Sequence, residues 1–138
     1  MRATQKLSDL AEIRSGYSFR GAIKDQGSGV SVVQAKDICT MYVNQARLPR
    51  VGQDFTETNI LQSGDILLTS RGSFRAAVVG NCAPVVASSS VTTIRLKDDS
   101  NTLPEYVALF LNSARAQGYI RQNSSGATIK SISIDDLG

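Results

Sequence analysis

The chain of 138 residues contains no histidine and no tryptophan, and only two cysteines and three prolines. Without imidazole, Ser/His/Asp and Cys/His triads, histidine-bearing zinc sites and most acid–base schemes near neutral pH are excluded. Cys39 and Cys82 have neither metal-knuckle spacing nor a disulfide framework, which reads as reduced thiols in a cytoplasmic protein. No apolar run reaches the length of a membrane span or a signal-peptide core. The glycines form neither a P-loop nor a GxGxxG turn, and no methyl-donor motif is present. A non-catalytic protein with no metal and no cofactor is expected.

Charge is also scarce, at 20% of residues against an average of about 25%. Much of the polarity therefore comes from Ser, Thr, Asn and Gln, which hydrogen-bond bases and sugars but also simply decorate exposed strands. Fifteen Lys and Arg against twelve Asp and Glu give +3 and a pI near 9.1. That balance suits a polyanionic partner without demanding one.

The length fits one domain spanning 1–138, and no repeat, linker or low-complexity block divides it. LSDLAEIRSG reads as a helical turn running into a strand that stops at Gly16. VSVVQA, DILLTS, RAAVVG and VVASSSVTTIRLK read as four further strands, and SISI as a last one after a glycine turn. TLPEYVALFLNSARAQGYIRQN predicts a helix, with Thr102 as N-cap, Glu105 completing a capping box and Pro104 in the first turn. Leu103, Val107, Phe110 and Ala114 form its apolar stripe, and Gly118 is expected to break or kink it. The predicted class is α+β, a single domain with one twisted mixed β-sheet and a few helices.

In SGDILLTSRG, Ile66, Leu67 and Leu68 are apolar on both faces, as in a strand covered on each side. Thr69, Ser70 and Arg71 mark where it leaves the core. An arginine on so rigid a base is placed to fork onto a guanine edge or a phosphate, or to pair with a neighbouring carboxylate. Arg75 follows in the next segment. In VVASSSVTTIRLK, Thr93, Arg95 and Lys97 share one face, while Ser88, Ser89 and Ser90 read as a hydrogen-bonding rim, a bulge or a turn. SSGATIK sets Thr128 and Lys130 beside a glycine turn, and YSFRG with AIK sets Tyr17, Phe19, Arg20 and Lys24 in a loop. Their recurrence next to loops argues for a binding surface better than any one motif does.

A rival reading takes VVQAK as the Q-x-K strand of Mrr-like nucleases. Asp25 and Gln34 would then hold Mg²⁺ and Lys36 would steady the attacked phosphate. Such enzymes continue from this strand into a helix, whereas here DICTMYVNQARLP follows, weakly patterned and bearing a proline.

The order LSDLAEIRSGYSFRG, VVQAKDI, LQSGDILLTSRG, VVASSSVTTIRL, LPEYVALFLNS and IRQNSSGATIKSISIDDL resembles the target-recognition domain of the DNA specificity subunit of type I restriction–modification systems. The resemblance runs from about Lys6 to Leu137. It implies a cytoplasmic, non-catalytic domain that reads one half of a split duplex DNA target through loops on a twisted sheet. S-adenosylmethionine, ATP and Mg²⁺ would belong to the partner methylation and restriction subunits. The family's long spacer helix and second recognition domain do not follow Gly138, so a fragment or a half-sized subunit is expected. Arg71 and Ser89 are then candidate base readers, and Lys36, Arg75 and Lys130 candidate phosphate contacts. Arg20, Ser88, Ser90 and Thr128 complete the expected DNA-binding set.

Overall fold

A computed structural model describes residues 4–53, 55–69, 75–80, 84–97, 102–122 and 133–135. In chain order the elements are β1 (Thr4–Lys6), α1 (Leu7–Leu10), β2 (Ala11–Ser15), β3 (Val30–Val33), β4 (Arg50–Val51), β5 (Ile66–Thr69), β6 (Ala76–Val78), β7 (Val85–Ala87), β8 (Val91–Leu96), α2 (Pro104–Leu111), α3 (Ala114–Gln122) and β9 (Ser133–Asp135). Two single 3₁₀ turns, Ala35–Asp37 and Gln45–Arg47, lie between β3 and β4. No described helix is long and apolar enough to cross a membrane.

The alternation of side chains along each strand sorts the apolar residues into stacked layers. A four-stranded antiparallel sheet, ordered β2-β8-β5-β6, turns Ile66, Leu68, Ala76, Val78 and Ile94 toward α1 and α2, where they meet Leu7, Leu10, Val107 and Leu111. Its other face presents Leu67, Ala77 and Val91 to Val33, Val85 and Ala87 of a three-stranded sheet ordered β4-β3-β7. That second sheet turns Val32 and Val86 away from the first, against Phe19, Ile23 and Phe55. Being covered on both faces, β5 is buried at every position, which is why DILL carries no polar alternation. Each such Leu or Ile contributes about 1.5–3 kcal/mol by leaving water. β1 and β9 form a separate antiparallel pair.

The α+β class is as expected, and β3 mixes a parallel with an antiparallel neighbour. The described strands are nonetheless shared among three sheets rather than one, and VVASSSVTTIRLK is two strands in two of them. Val91 N donates to Ser88 O at 3.0 Å, closing a turn that hands the chain from one sheet to the other.

The predicted helix also differs at both ends of its first half. Leu103, not Thr102, is the N-cap, and no side chain caps it. Glu105 instead accepts a hydrogen bond from the Tyr42 phenol at 2.8 Å, a partner 63 residues away. The break falls at Asn112 and Ser113, while Gly118 lies inside α3. Ser113 Oγ accepts from Ala116 N at 3.2 Å and so starts the second helix.

Candidate nucleic-acid interface

Strand register brings several chain segments out at one end of the molecule. β3 and β7 run parallel with Val33 opposite Ala87, so Gln34–Lys36 and Ser88–Ser90 leave the sheet side by side. They are tied together: Ser88 N donates to Val33 O at 2.9 Å, and Ala35 N donates to Ser90 Oγ at 3.2 Å. β8 then starts at Val91, directly opposite Thr69 at the end of β5. There Thr69 N donates to Arg75 O at 3.0 Å and Thr69 Oγ1 accepts from Arg75 N at 2.9 Å. The polar end of DILLTS therefore closes the β5–β6 pairing and sets Arg75 at the same rim. β2 arrives too, with Ser15 opposite Thr92. Past it, Gly16 N donates to Val91 O at 3.1 Å and Tyr17 N to Ala87 O at 2.7 Å.

From Tyr17 the chain runs back over the outer face of the three-stranded sheet as a strap. Tyr17, Phe19 and Phe55 meet edge to face, with centroids 4.8, 5.1 and 5.9 Å apart, and Gln53 Nε2 donates to the Tyr17 hydroxyl at 2.6 Å. Farther along, Asp25 Oδ1 accepts from Gly27 N at 2.9 Å and from Arg50 N at 3.0 Å. Gln26 Oε1 accepts from Gly52 N at 2.7 Å. The amides of Arg50 and Gly27 hold the Asp25 carboxyl below its ordinary range by stabilising the anion. Gly29, at φ +106°, passes so close to the Val51 carbonyl that no Cβ fits.

Of the residues expected to touch DNA, Lys36, Arg75 and Ser89 are exposed on this rim, and exposed Arg20 follows Tyr17 by three residues. Ser90 is half-buried, and Ser88, buried, bonds its hydroxyl to that of Ser90 at 2.8 Å. The serine run is thus the turn among its sequence readings, with Ser89 at its exposed tip. Arg71, Thr128 and Lys130 lie outside the described residues. Among the described residues the two ion pairs are Arg14–Glu12 and Arg95–Asp65, so Arg20, Lys36 and Arg75 have no carboxylate partner there. Arg95 differs from its expected place on a polar face beside Thr93 and Lys97. It is bound to buried Asp65, whose hydrogen bonds raise the guanidinium pKa.

The metal triad of the nuclease reading is not supported by this arrangement. Asp25 bonds at Arg50, whose strand partner is Ser31; Gln34 lies three residues farther on, about 10 Å along the strand. No group of three His, Cys, Asp or Glu suited to a metal occurs among the described residues.

Tyr17 is among the loop residues that the sequence offers for a binding surface, whereas nothing in the sequence marks Gln53 or Asn112 as shaping the rim. Only Asn112-Ser113 carries a usable signal, since both are N-cap types sitting mid-stripe in a helical pattern. Beside Arg75 lies an open cleft of about 400 Å³ bounded by Cys39, Met41, Ala76, Asn112 and Gln117.

Layers, crossover and rim together are similar to solved S subunits of type I restriction–modification systems. The HsdS subunit from Thermoanaerobacter tengcongensis superposes with a TM-score of 0.67 at 14% identity, over 97% of this chain and 32% of that one. The S subunit from M. genitalium gives 0.58 at 11% identity, over 99% and 34%. A third structure, from work on complex assembly and conformational transition of the type I R-M system, gives 0.65 at 14% identity, over 97% and 33%. The chain thus spans about a third of the length of the solved structures it matches. Comparison with curated proteins gives no match. The model of the type I restriction modification DNA specificity domain matches residues 3–138, and the chain belongs to that family.

Proposed function

We propose that this domain binds duplex DNA in a sequence-specific way and reads one half of a bipartite target for a type I restriction–modification complex. The observation that carries the reading is the rim itself. Lys36 and Arg75, cations with no carboxylate partner among the described residues, stand with the Ser89 hydroxyl where three strand ends and the strap's entry meet. Rigid strand ends lose little entropy when their side chains dock on a groove. In this reading Lys36, Arg75 and Lys130 neutralise phosphates, Ser89 and Arg71 face base edges, and Arg20, Ser88, Ser90 and Thr128 shape or extend the contact. The domain performs no chemistry. Methylation and restriction belong to partner subunits, which would engage parts of the longer S subunits outside the third matched here. A cytoplasmic location accompanies that role.

Selection from random duplexes tests it, and an enriched half-site is expected. Three neutralised phosphates give a slope of log K against log salt of about −2.7. Arg71→Ala should relax one target position at a cost of about 1–3 kcal/mol, whereas Lys130→Ala should weaken all duplexes alike and flatten the slope by about 1. Arg71→Ala lowering affinity equally for every sequence would remove its reading role. Plasmid nicking that needs Mg²⁺ or Mn²⁺ and is abolished by Lys36→Ala would replace this function with the nuclease.

A further inference from the structure

Asn112 stands at the break between α2 and α3 and directs both ends of its carboxamide at one residue of the sheet. Its Oδ1 accepts from Ala76 N at 2.8 Å and its Nδ2 donates to Ala76 O at 3.0 Å. β6 is the outermost strand on its side, and Arg75 already turns its backbone groups inward to Thr69. By the period of two, Ala76 and Val78 turn theirs outward. Val78 is satisfied by backbone, donating to Met41 O at 2.7 Å and accepting from Val43 N at 3.3 Å. Ala76 is satisfied by a side chain that copies the donor–acceptor pair of a peptide. Across the break, Gln117 Nε2 donates to Leu111 O at 2.7 Å.

From this geometry we infer that Asn112 is a positioning residue for DNA binding: it fixes the start of β6 and thereby the place of Arg75 on the rim. Without it, the bonds to Thr69 would be the anchor left, among the described residues, to the residue carrying the exposed guanidinium. The inference rests on the DNA-binding reading above and adds to it a residue that touches no DNA.

The test measures duplex affinity against salt for the intact protein and for Asn112→Ala, Arg75→Ala, the double variant and Ser113→Ala. Asn112→Ala is expected to weaken all duplexes by about tenfold, the scale of one charge-assisted contact, with a slope flattened toward that of Arg75→Ala. Acting through the same contact, the two changes together should cost no more than Arg75→Ala alone. Ser113→Ala, which loosens the same junction without touching β6, should lower the melting temperature and leave affinity and slope unchanged. Additive losses in the double variant, or an unaltered slope in Asn112→Ala, overturn the inference. Were Asn112→Ala not to fold, Asn112→Asp keeps the acceptor but offers no donor to Ala76 O, and the same slope decides. A wild type whose binding ignores salt and sequence would overturn the DNA reading as a whole; loss in Arg75→Ala but not in Asn112→Ala would overturn this inference alone.

Discussion

Asp65 and Arg95, thirty residues apart, meet in a two-pronged ion pair: Nε donates to Oδ1 at 2.9 Å and Nη2 to Oδ2 at 2.8 Å. Oδ2 also accepts from Gln62 N at 2.8 Å, so the carboxylate joins the turn before β5 to the far end of β8. Asp65 is 2% exposed and the Arg95 side chain 22%. Removing one partner strands the other charge in a poorly hydrated place. Asp65→Ala should therefore lower stability by about 3 kcal/mol, the lower end of what broken buried pairs cost, because Arg95 retains some water. Urea unfolding measures it. Arg95→Lys should destabilise as well, since an ammonium cannot fork onto both oxygens.

Gly16 lies where β2 passes the Ser88 carbonyl, and a Cβ built there collides with that backbone group. Gly16→Ala should cost about 1–3 kcal/mol, as overpacking does. Because Gly16 and Tyr17 bond to Val91 and Ala87, the same change should also weaken DNA binding. Denaturation midpoint and duplex affinity, measured on one preparation, check the two effects together.

Tyr42 and Glu105 define a pH window. The phenol donates to the carboxylate, which lowers the Glu105 pKa from its usual 4.5 and raises that of Tyr42 above 10.0. The depressed carboxyl contributes stability above its unfolded value, lost as pH falls through the lower folded one. The raised phenol contributes below its unfolded value, lost as pH rises through the higher folded one. Tyr42→Phe should return the Glu105 titration toward 4.5, which carboxyl-carbon NMR reads directly. An unmoved Glu105 in that variant would deny the contact.

Asp25 should behave as a lashing for the strap. Asp25→Ala is expected to speed hydrogen exchange at Gly27 and Arg50, the two amides that it accepts from. In the wild type the same loosening should appear only as pH falls through the depressed pKa, below the ordinary 3.8. Exchange rates insensitive to the substitution would show that the strap is held elsewhere.

What the sequence revealed, and what it hid, follows from how far each residue's partners lie along the chain. VSVV, DILL and AAV declare themselves because continuous apolar runs need burial on two faces, whatever the neighbours are. The rim cations Lys36 and Arg75 and the tip residue Ser89 were visible as polar residues at strand ends. The serine turn was one of three readings of Ser88–Ser90, because Val85–Leu96 is otherwise strand chemistry, and its two different pairing partners, β3 and β5, decide for the turn. The helix break was hidden for a related reason: the partner that draws Asn112 out of the helix is Ala76, 36 residues earlier. Arg95 looked like surface because alternation cannot show that the loop before β5 covers its side of the sheet. Thr102 was a sound N-cap by type, yet the distant phenol of Tyr42 took Glu105 out of the capping box.

The outward groups of β6 have one further consequence. With Ala76 occupied by Asn112 and Val78 by Met41 and Val43, that flank offers no vacant row of amides and carbonyls on which a second molecule might add a strand. A sheet left bare there would invite its copies to zip together. At Ala76 and Val78 that route of self-association is closed.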